Sequence, residues 1–354
     1  MTHPFSPRRL LAWTAPVTLA LTALAPAFPA QAAAKPAPAP TVSGGPVDKD
    51  LNGDGVPDLV AAGGPGTGLG SGVWSALGVK SRKTGVGTGK VQTPATNIGQ
   101  AGTGTGTVGS PTEFDGAQVI TGRFWGLDRQ DFLYYTPGGV NPGGGGVIAG
   151  AGDGTMQNPY QGGASQATIA REQLLDPNGN SPLELANAFG ADGNDNGMPD
   201  LIGRYGDPVH GYNLGYLPNL GAPGMVIFNT TLTNRTPAGD TDWQNWSITG
   251  TELASGTALF LRNAGTGDLY LWTGVSLVDN GDGTGSLTYT QHQVAANWNT
   301  GVAISTLWAA DINADGTPDL WTVLADGTYR AYLISGLSTS GTATVTATRS
   351  QRLV

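Results

Sequence analysis

The chain has 354 residues, of which 57 are glycine and 24 are proline, and only 12% are charged. This charged share is about half that of ordinary soluble proteins. Because the surfaces of long helices need Lys, Glu and Arg, the composition excludes long helices, coiled coils and charged disordered tails. Hydrophobic residues still make up 39% of the chain, which is enough for a folded core of strands and turns.

The net charge is −9, and the sequence contains no cluster of basic residues. Nucleic-acid binding is therefore not expected, since phosphate contacts need Lys and Arg. Cysteine is absent, which excludes disulfides, thiolate nucleophiles and zinc sites built on cysteine.

Residues 1–34 have the pattern of a secretory signal peptide. Arg8 and Arg9 precede an apolar stretch over residues 10–27, and a small-residue exit, Ala-Gln-Ala, follows. The paired arginines also fit a twin-arginine signal, but the rest of that motif is weak, so the general secretory route is favoured. Residues 35–46 are rich in proline and alanine, and we expect them to form an extended spacer. No later apolar run is long enough to span a membrane, and we expect an extracellular monomer.

The remaining residues, 47–354, predict a single domain built from repeats. One string recurs three times, as DLNGDGVPDLV, DGNDNGMPDLI and DINADGTPDLW. Two eroded copies lie between them, one of which keeps Asp131 at the ninth position. The repeats begin near residues 50, 123, 192, 250 and 311. A period of this size indicates a repeat fold in which one unit cannot bury its apolar face alone.

Within a unit the pattern is strand, turn, strand. Asp326-Gly327 separates two alternating apolar runs, which is a strong signal for a β-hairpin. Only residues 166–176 have a helical pattern. Repeated hairpins predict an all-β chain folded as a β-propeller of about five blades, with six or seven as alternatives. We expect a strand from near the N-terminus to complete the last blade.

The recurring loop has the oxygen-rich pattern of a calcium site. Ca²⁺ takes six to eight oxygen ligands, and loops of the EF-hand kind supply them from positions 1, 3, 5, 7 and 9, with glycine at position 6. Position 7 contributes a main-chain carbonyl. The predicted ligands are Asp50, Asn52, Asp54, Val56 and Asp58 in the first loop, Asp192, Asn194, Asn196, Met198 and Asp200 in the second, and Asp311, Asn313, Asp315, Thr317 and Asp319 in the third.

These loops are not EF-hands, because position 12 is not Glu and a strand follows in place of a helix. Asp, Asn and Gly also form ordinary turns, but three copies with identical spacing favour metal binding. The second loop has Asn196 at position 5, where the other two have Asp, so it should bind Ca²⁺ more weakly.

The same residues resemble the FG-GAP and VCBS-like repeat family, which includes the propeller of integrin α subunits. DLNGDGVPDLVAAGGPG carries the loop, the apolar strand and Gly63-Gly64-Pro65 where the family has Gly-Ala-Pro. GDGTMQNP at residues 152–159 is similar to the turn that ends many VCBS repeats. The resemblance implies a β-propeller and up to three structural Ca²⁺ ions at blade edges. Integrin propellers have seven blades, whereas the repeat spacing of this chain favours about five.

No motif identifies a catalytic centre. His210 and His292 lie in no protease or triad motif, and no spacing selects a pair of carboxylates of the glycosidase kind. Trp243, Trp246 and Trp298 fall in polar surroundings, and they form either a stacking surface for sugars or part of the core.

We therefore expect an exported, calcium-stabilised, non-enzymatic module that binds a glycan or a protein, for example in adhesion. Two alternatives stay open. One is an extracellular polysaccharide hydrolase or lyase on the same scaffold, and the other is a surface-structural accessory protein without a discrete ligand.

Overall fold

The computed structural model describes residues 47–99, 111–137, 143–157, 166–188 and 197–354. The predicted signal peptide and spacer, residues 1–46, lie outside these ranges. Within them the secondary structure consists of strands and of three short 3-10 helices, Pro111–Phe114, Arg171–Gln173 and Trp243–Asn245. The predicted all-β class is confirmed. No helix in the described part of the chain has the length and hydrophobicity needed to cross a bilayer.

The described strands fall into five consecutive groups, and within each group the paired strands are antiparallel. The first group contains β1 (Leu59–Gly64), β2 (Leu69–Ala76), β3 (Gly78–Lys80), β4 (Gly87–Val91) and β5 (Thr96–Asn97). The second contains β6 (Gln118–Gly122), β7 (Asp131–Thr136), β8 (Gly144–Ile148) and β9 (Gln166–Ile169). The third contains β10 (Glu184–Ala188), β11 (Asp200–Asp207), β12 (Gly211–Leu217) and β13 (Thr230–Leu232).

The fourth group contains β14 (Trp246–Leu253), β15 (Gly256–Asn263), β16 (Leu269–Asp279) and β17 (Thr284–Ala295). The fifth contains β18 (Ile304–Ala310), β19 (Asp319–Leu324), β20 (Thr328–Ser335), β21 (Thr344–Ala347) and β22 (Gln351–Arg352). A short parallel pairing of β13 with β17 joins the third and fourth groups into one eight-stranded sheet. In the first group, β1, β2 and β5 form one sheet and β3 and β4 form a second, whereas the second and fifth groups are each a single sheet.

The hairpin predicted at Asp326-Gly327 is confirmed, since it connects β19 to β20. Gly327 has φ of 76°, a left-handed conformation that glycine adopts without a steric penalty. The Asp326 carboxylate accepts hydrogen bonds from the Thr328 N–H at 2.9 Å and the Thr328 hydroxyl at 2.7 Å. Local turn chemistry therefore sets the register of this strand pair.

The first strands of the five groups contact one another in cyclic order. β1 packs against β6, β6 against β10, β10 against β14, β14 against β18, and β18 against β1 again. The approach is close: a Cβ atom built on Gly250 in β14 would lie 2.0 Å from the carbonyl oxygen of Asn187 in β10. Glycine is required there because no side chain fits between these two backbones.

Neighbouring groups bury their apolar side chains against each other. In β15, Leu259 and Leu261 face the third group, whereas Ala258 and Phe260 face the fifth. Successive side chains of a strand point to opposite faces, so a strand that is apolar at every position can be buried on both sides. The core is thus divided into layers, each lying between two adjacent groups, and these layers hold the ring of groups together.

The fifth group is tied to the first by main-chain and indole hydrogen bonds. The Trp321 indole donates to the carbonyl oxygen of Gly89 at 2.9 Å, and the Ala95 N–H donates to that of Leu353 at 2.8 Å. The strands of the fifth group all come from residues 304–352 in the described chain. The closing strand predicted from near the N-terminus would come from the segment before Asp50, and this segment lies outside the described residues up to residue 46.

The helix predicted over residues 166–176 is wrong. Residues Gln166–Ile169 form β9 and pair with β8, and only the three residues Arg171–Gln173 turn as a 3-10 helix. The apolar residues of this segment are spaced as in a helix, but the exposed edge of β8 offers unpaired main-chain groups that β9 satisfies. Tertiary pairing outweighs a weak local preference here.

We predict that Gly250→Ala destabilises the fold by roughly 2–4 kcal/mol, because the new methyl group would overlap the Asn187 carbonyl oxygen and force β14 away from β10. Urea unfolding measures the change. Gly265→Ala is the matched control, since a Cβ atom there would lie 3.4 Å from the Asn263 side-chain oxygen, an ordinary contact distance. Equal stability of the two variants would show that the first strands do not approach as closely as described.

Candidate metal loops and central cavity

The ninth-position aspartates of the repeats are fully buried and hold strands together. Asp58 accepts two backbone hydrogen bonds of 2.7 Å, one from Leu51 in its own loop and one from Gly78 in β3. Asp319 does the same with Ile312 at 3.2 Å and Ile334 at 2.7 Å. One carboxylate thus joins a loop to a strand 15 or 20 residues further along the chain.

The eroded second repeat keeps this interaction without the rest of the loop. Asp131 accepts hydrogen bonds from the Trp125 N–H at 2.8 Å and the Gly150 N–H at 3.0 Å. In the third repeat, Asp200 accepts from the Asn219 N–H at 2.8 Å and the Tyr216 hydroxyl at 2.6 Å. We call these four buried residues, Asp58, Asp131, Asp200 and Asp319, the aspartate clamps. The fourth repeat has Ala258 at the corresponding position and lacks a clamp.

Burial disfavours the charged form of the clamp carboxylates. It raises the pKa of Asp131 to about 6, although the two N–H donors and Arg129 oppose the shift. Burial likewise raises the pKa of Asp58 to about 7 and that of Asp319 to about 8, with the other aspartates of each loop adding to the shift. A clamp therefore costs desolvation free energy, which its two hydrogen bonds offset in part.

The side chains at positions 1, 3 and 5 of the first loop accept hydrogen bonds from main-chain N–H groups of the same loop. The Asp50 carboxylate accepts from the N–H groups of Asp54 at 3.1 Å and Gly55 at 2.7 Å. Asn52 accepts from the Asp54 N–H at 3.0 Å, and Asp54 accepts from the Val56 N–H at 2.9 Å. Gly55 has φ of 83°, which explains the glycine at position 6.

The third loop repeats this arrangement residue for residue. Asp311 accepts from the Asp315 N–H at 3.1 Å and the Gly316 N–H at 3.0 Å. Asn313 accepts from the Asp315 N–H at 3.1 Å, and Asp315 accepts from the Thr317 N–H at 2.8 Å. Two loops separated by more than 250 residues thus have the same hydrogen-bonded conformation, as their shared spacing predicts.

The second loop is described only at its end. Asp192, Asn194 and Asn196 lie outside the described residues, whereas Met198 is half-buried and Asp200 is a clamp. Across the residues that the structure describes, no three His, Asp or Glu side chains converge in the manner of a metal site. The donor chemistry of the first and third loops is nevertheless that of a hard cation, since carboxylate, amide and carbonyl oxygens are the ligands that Ca²⁺ prefers.

A cavity of about 440 Å³ lies among the first strands of the groups. Glu184 is the single carboxylate among its described lining residues. The Glu184 carboxylate accepts from the Ile248 N–H at 3.1 Å and from the Arg204 guanidinium at 3.4 Å. Burial raises its pKa to about 7, because desolvation of the carboxylate outweighs the nearby Arg204 charge.

Lys49 projects into the same cavity from the segment before the first loop. Its ammonium group donates to the carbonyl oxygens of Gly250 in β14 and of Ala309 in β18, the latter at 2.6 Å. It also lies 3.8 Å from the Asp48 carboxylate and 5.0 Å from the centre of the Trp308 ring. Burial lowers the Lys49 pKa. Nothing in the sequence marks Lys49 as a cavity residue, because its carbonyl partners are distant in sequence and have no residue signature.

The tryptophans considered for sugar stacking belong to the core. Trp243 and Trp246 are 1% exposed and Trp298 is 7% exposed. Trp243 packs edge-on against Trp272, and Trp298 packs edge-on against Tyr332. Their ring faces are therefore covered by the protein, and the core alternative explains these residues.

A scan against protein-family models finds no match, and no similar sequence is found among curated proteins. Among solved structures, a lectin of Agrocybe aegerita is similar to 85% of this chain, at 15% identity and a TM-score of 0.39. That structure is described as the basis of specific recognition of non-reducing terminal N-acetylglucosamine. The chain spans 64% of the lectin's length, less than two thirds. So distant a likeness supports no inference about function.

We predict that Asp131→Asn lowers the free energy of unfolding by about 1–3 kcal/mol, because the amide retains one acceptor oxygen and leaves one buried N–H unpaired. The loss should be the same in EDTA and in CaCl₂, as no metal is predicted at this repeat. Asp128→Asn, an exposed neighbour, serves as the control. Wild-type stability of Asp131→Asn in urea unfolding would refute the clamp.

We predict that Glu184 makes the fold less stable as the pH rises. Its folded pKa of about 7 is above the ordinary value for glutamate, so its protonated form favours the folded state and this contribution is lost as the pH increases through 7. Between pH 5 and pH 8 the wild type should lose about 2 kcal/mol relative to Glu184→Gln. Urea unfolding in EDTA at both values, with Glu172→Gln as an exposed control, measures this. A difference that does not change with pH would contradict the prediction.

Proposed function

We propose that the described chain is a five-bladed β-propeller related to the FG-GAP and VCBS-like repeat proteins. Each strand group would be one blade, and the cyclic contacts of β1, β6, β10, β14 and β18 support a ring closed around a central cavity. Five groups agree with the number expected from the spacing of the repeats. The layered core between adjacent groups also supports radial closure, which removes exposed sheet edges.

We further propose that the first and third loops bind Ca²⁺. The observation that carries this proposal is that two loops share one hydrogen-bonded conformation, and that their predicted ligand positions offer only oxygen atoms. Asp50, Asn52, Asp54 and the Val56 carbonyl would hold one ion, and Asp311, Asn313, Asp315 and the Thr317 carbonyl another, with Asp58 and Asp319 as the ninth-position members of the two sets. The second loop, with Asp192, Asn194, Asn196, Met198 and Asp200, would bind a third ion more weakly.

When bound, Ca²⁺ would neutralise the carboxylates that crowd each loop. The protein supplies the rest: the glycine at position 6 reverses the chain, the proline at position 8 directs it into the following strand, and the clamp fixes that strand to the sheet. The ions would therefore stabilise the connections between blades.

We propose that the protein acts outside the cell as a non-enzymatic binding module for a glycan or a protein. A glycosidase of the usual kind needs two carboxylates about 5–9.5 Å apart, whereas the described lining of the cavity contains Glu184 alone, paired with Arg204. A rigid ring with connecting loops around it is a common scaffold for recognition. A glycan and protein array tests this function, and uniformly blank arrays would favour the surface-structural alternative.

We predict that about 1 mM CaCl₂ raises the melting temperature of the wild type by roughly 5 °C over EDTA, since ligand at a hundred times Kd stabilises by about 2.7 kcal/mol per site. Asp315→Asn should lose at least half of this gain while keeping its stability in EDTA, because Asp315 is exposed and the amide can still accept the Thr317 N–H. Asp282→Asn, an exposed turn aspartate outside the loops, is the control. An unchanged melting temperature in CaCl₂ would contradict calcium binding.

A further inference from the structure

A lysine of the neighbouring hairpin lies against the first loop. Lys80, the last residue of β3, donates a hydrogen bond from its ammonium group to the carbonyl oxygen of Asp54. The same nitrogen lies 3.8 Å from the Asp54 carboxylate. Both side chains are partly exposed, at 40% for Lys80 and 35% for Asp54. A positive charge of the protein itself therefore contacts position 5 of the loop.

This lysine is specific to the first repeat. Lys80 lies two residues after Gly78, whose N–H donates to Asp58. The corresponding residue of another repeat therefore lies two residues after the N–H donor of its own clamp. Counted in this way from Gly150, Asn219 and Ile334, the corresponding residues are Gly152, Gly221 and Gly336. Glycine has no side chain, so the third loop receives no cation from this position.

We propose that Lys80 is an intramolecular competitor of Ca²⁺ at the first loop. This inference rests on the proposed calcium binding, and it makes the two otherwise matching loops unequal. The third loop takes up Ca²⁺ first, and the first loop follows only at a higher concentration. At low Ca²⁺ the Lys80 ammonium partly neutralises the first loop, so the two loops respond to different calcium levels.

The size of the effect follows from the charges. Each loop has three aspartates, Asp50, Asp54 and Asp58 or Asp311, Asp315 and Asp319, and Lys80 reduces the charge around the first loop by one unit. A divalent ion about 6 Å from an ammonium group is repelled, even at the dielectric constant of water, by an amount equivalent to about a tenfold change in affinity. The partial exposure of Lys80 allows its side chain to turn away, so the first loop remains able to bind.

The test must distinguish the loops, and their position-6 glycines allow this. The Gly55 N–H donates to Asp50 and the Gly316 N–H donates to Asp311, so each amide reports on one loop. A CaCl₂ titration of the ¹⁵N-labelled full chain, followed by the resonances of these two amides, gives a separate midpoint for each. In the wild type the Gly316 midpoint should lie about tenfold below the Gly55 midpoint.

Lys80→Met should lower the Gly55 midpoint about tenfold and leave the Gly316 midpoint unchanged. Lys80→Arg keeps the charge and should behave as the wild type, whereas Lys83→Met, which removes an exposed lysine from the β3–β4 turn, should have less than a twofold effect. Melting temperatures in EDTA establish that each variant is folded. Equal wild-type midpoints, or a Gly55 midpoint that Lys80→Met does not move, would overturn the competition while leaving calcium binding intact. If neither amide responds up to about 10 mM CaCl₂, calcium binding itself fails, and the competition with it.

Discussion

The buried carboxylate that accepts two backbone N–H groups is the interaction on which the rest of this structure depends. A carboxylate inside a protein is unfavourable unless its oxygens are hydrogen-bonded. Asp58, Asp131 and Asp319 each meet this condition by joining the preceding loop to a strand much further along the chain. Because the partners are main-chain groups, the clamp constrains the path of the backbone while leaving the surrounding side chains free to vary.

The ring of strand groups imposes a second constraint, since its first strands converge and leave little room. Glycine satisfies this constraint where two backbones nearly touch, as Gly250 and the Asn187 carbonyl do. Where the strands leave a cavity, Lys49 projects into it, and its ammonium group donates to carbonyl oxygens of β14 and β18. Such a buried charge is tolerated only when it is well bonded, and here two carbonyls, the Asp48 carboxylate and the Trp308 ring surround it.

Local patterns predicted the features that depend on neighbouring residues. The Asp326-Gly327 hairpin, the inward turn at Gly55 and the all-β class follow from turn chemistry and alternation, which a sequence displays directly. The role of the ninth-position aspartate could be predicted only in part. Its residue type predicts an oxygen donor, but its hydrogen-bond partners lie up to 20 residues away and have no sequence signature. The survival of Asp131 in a repeat that lost its other predicted ligands was the available sign that this position has a structural role.

The errors have the same origin in long-range contacts. Residues 166–169 were read as part of a helix because the unpaired edge of β8 cannot be seen in the sequence. The contact of Lys80 with the first loop could not be predicted either, because it depends on how the β3–β4 hairpin packs against that loop.

Hydrogen exchange tests the clamp most directly, because it reports on the individual donor groups. The amides of Gly78, Gly150 and Ile334 each donate to a clamp carboxylate from a different strand group. We expect them to exchange as slowly as amides of the central strands, in EDTA as well as in CaCl₂. Exchange of these three amides at the rate of exposed turns would show that the carboxylates do not hold the strands, and would contradict this account of the fold.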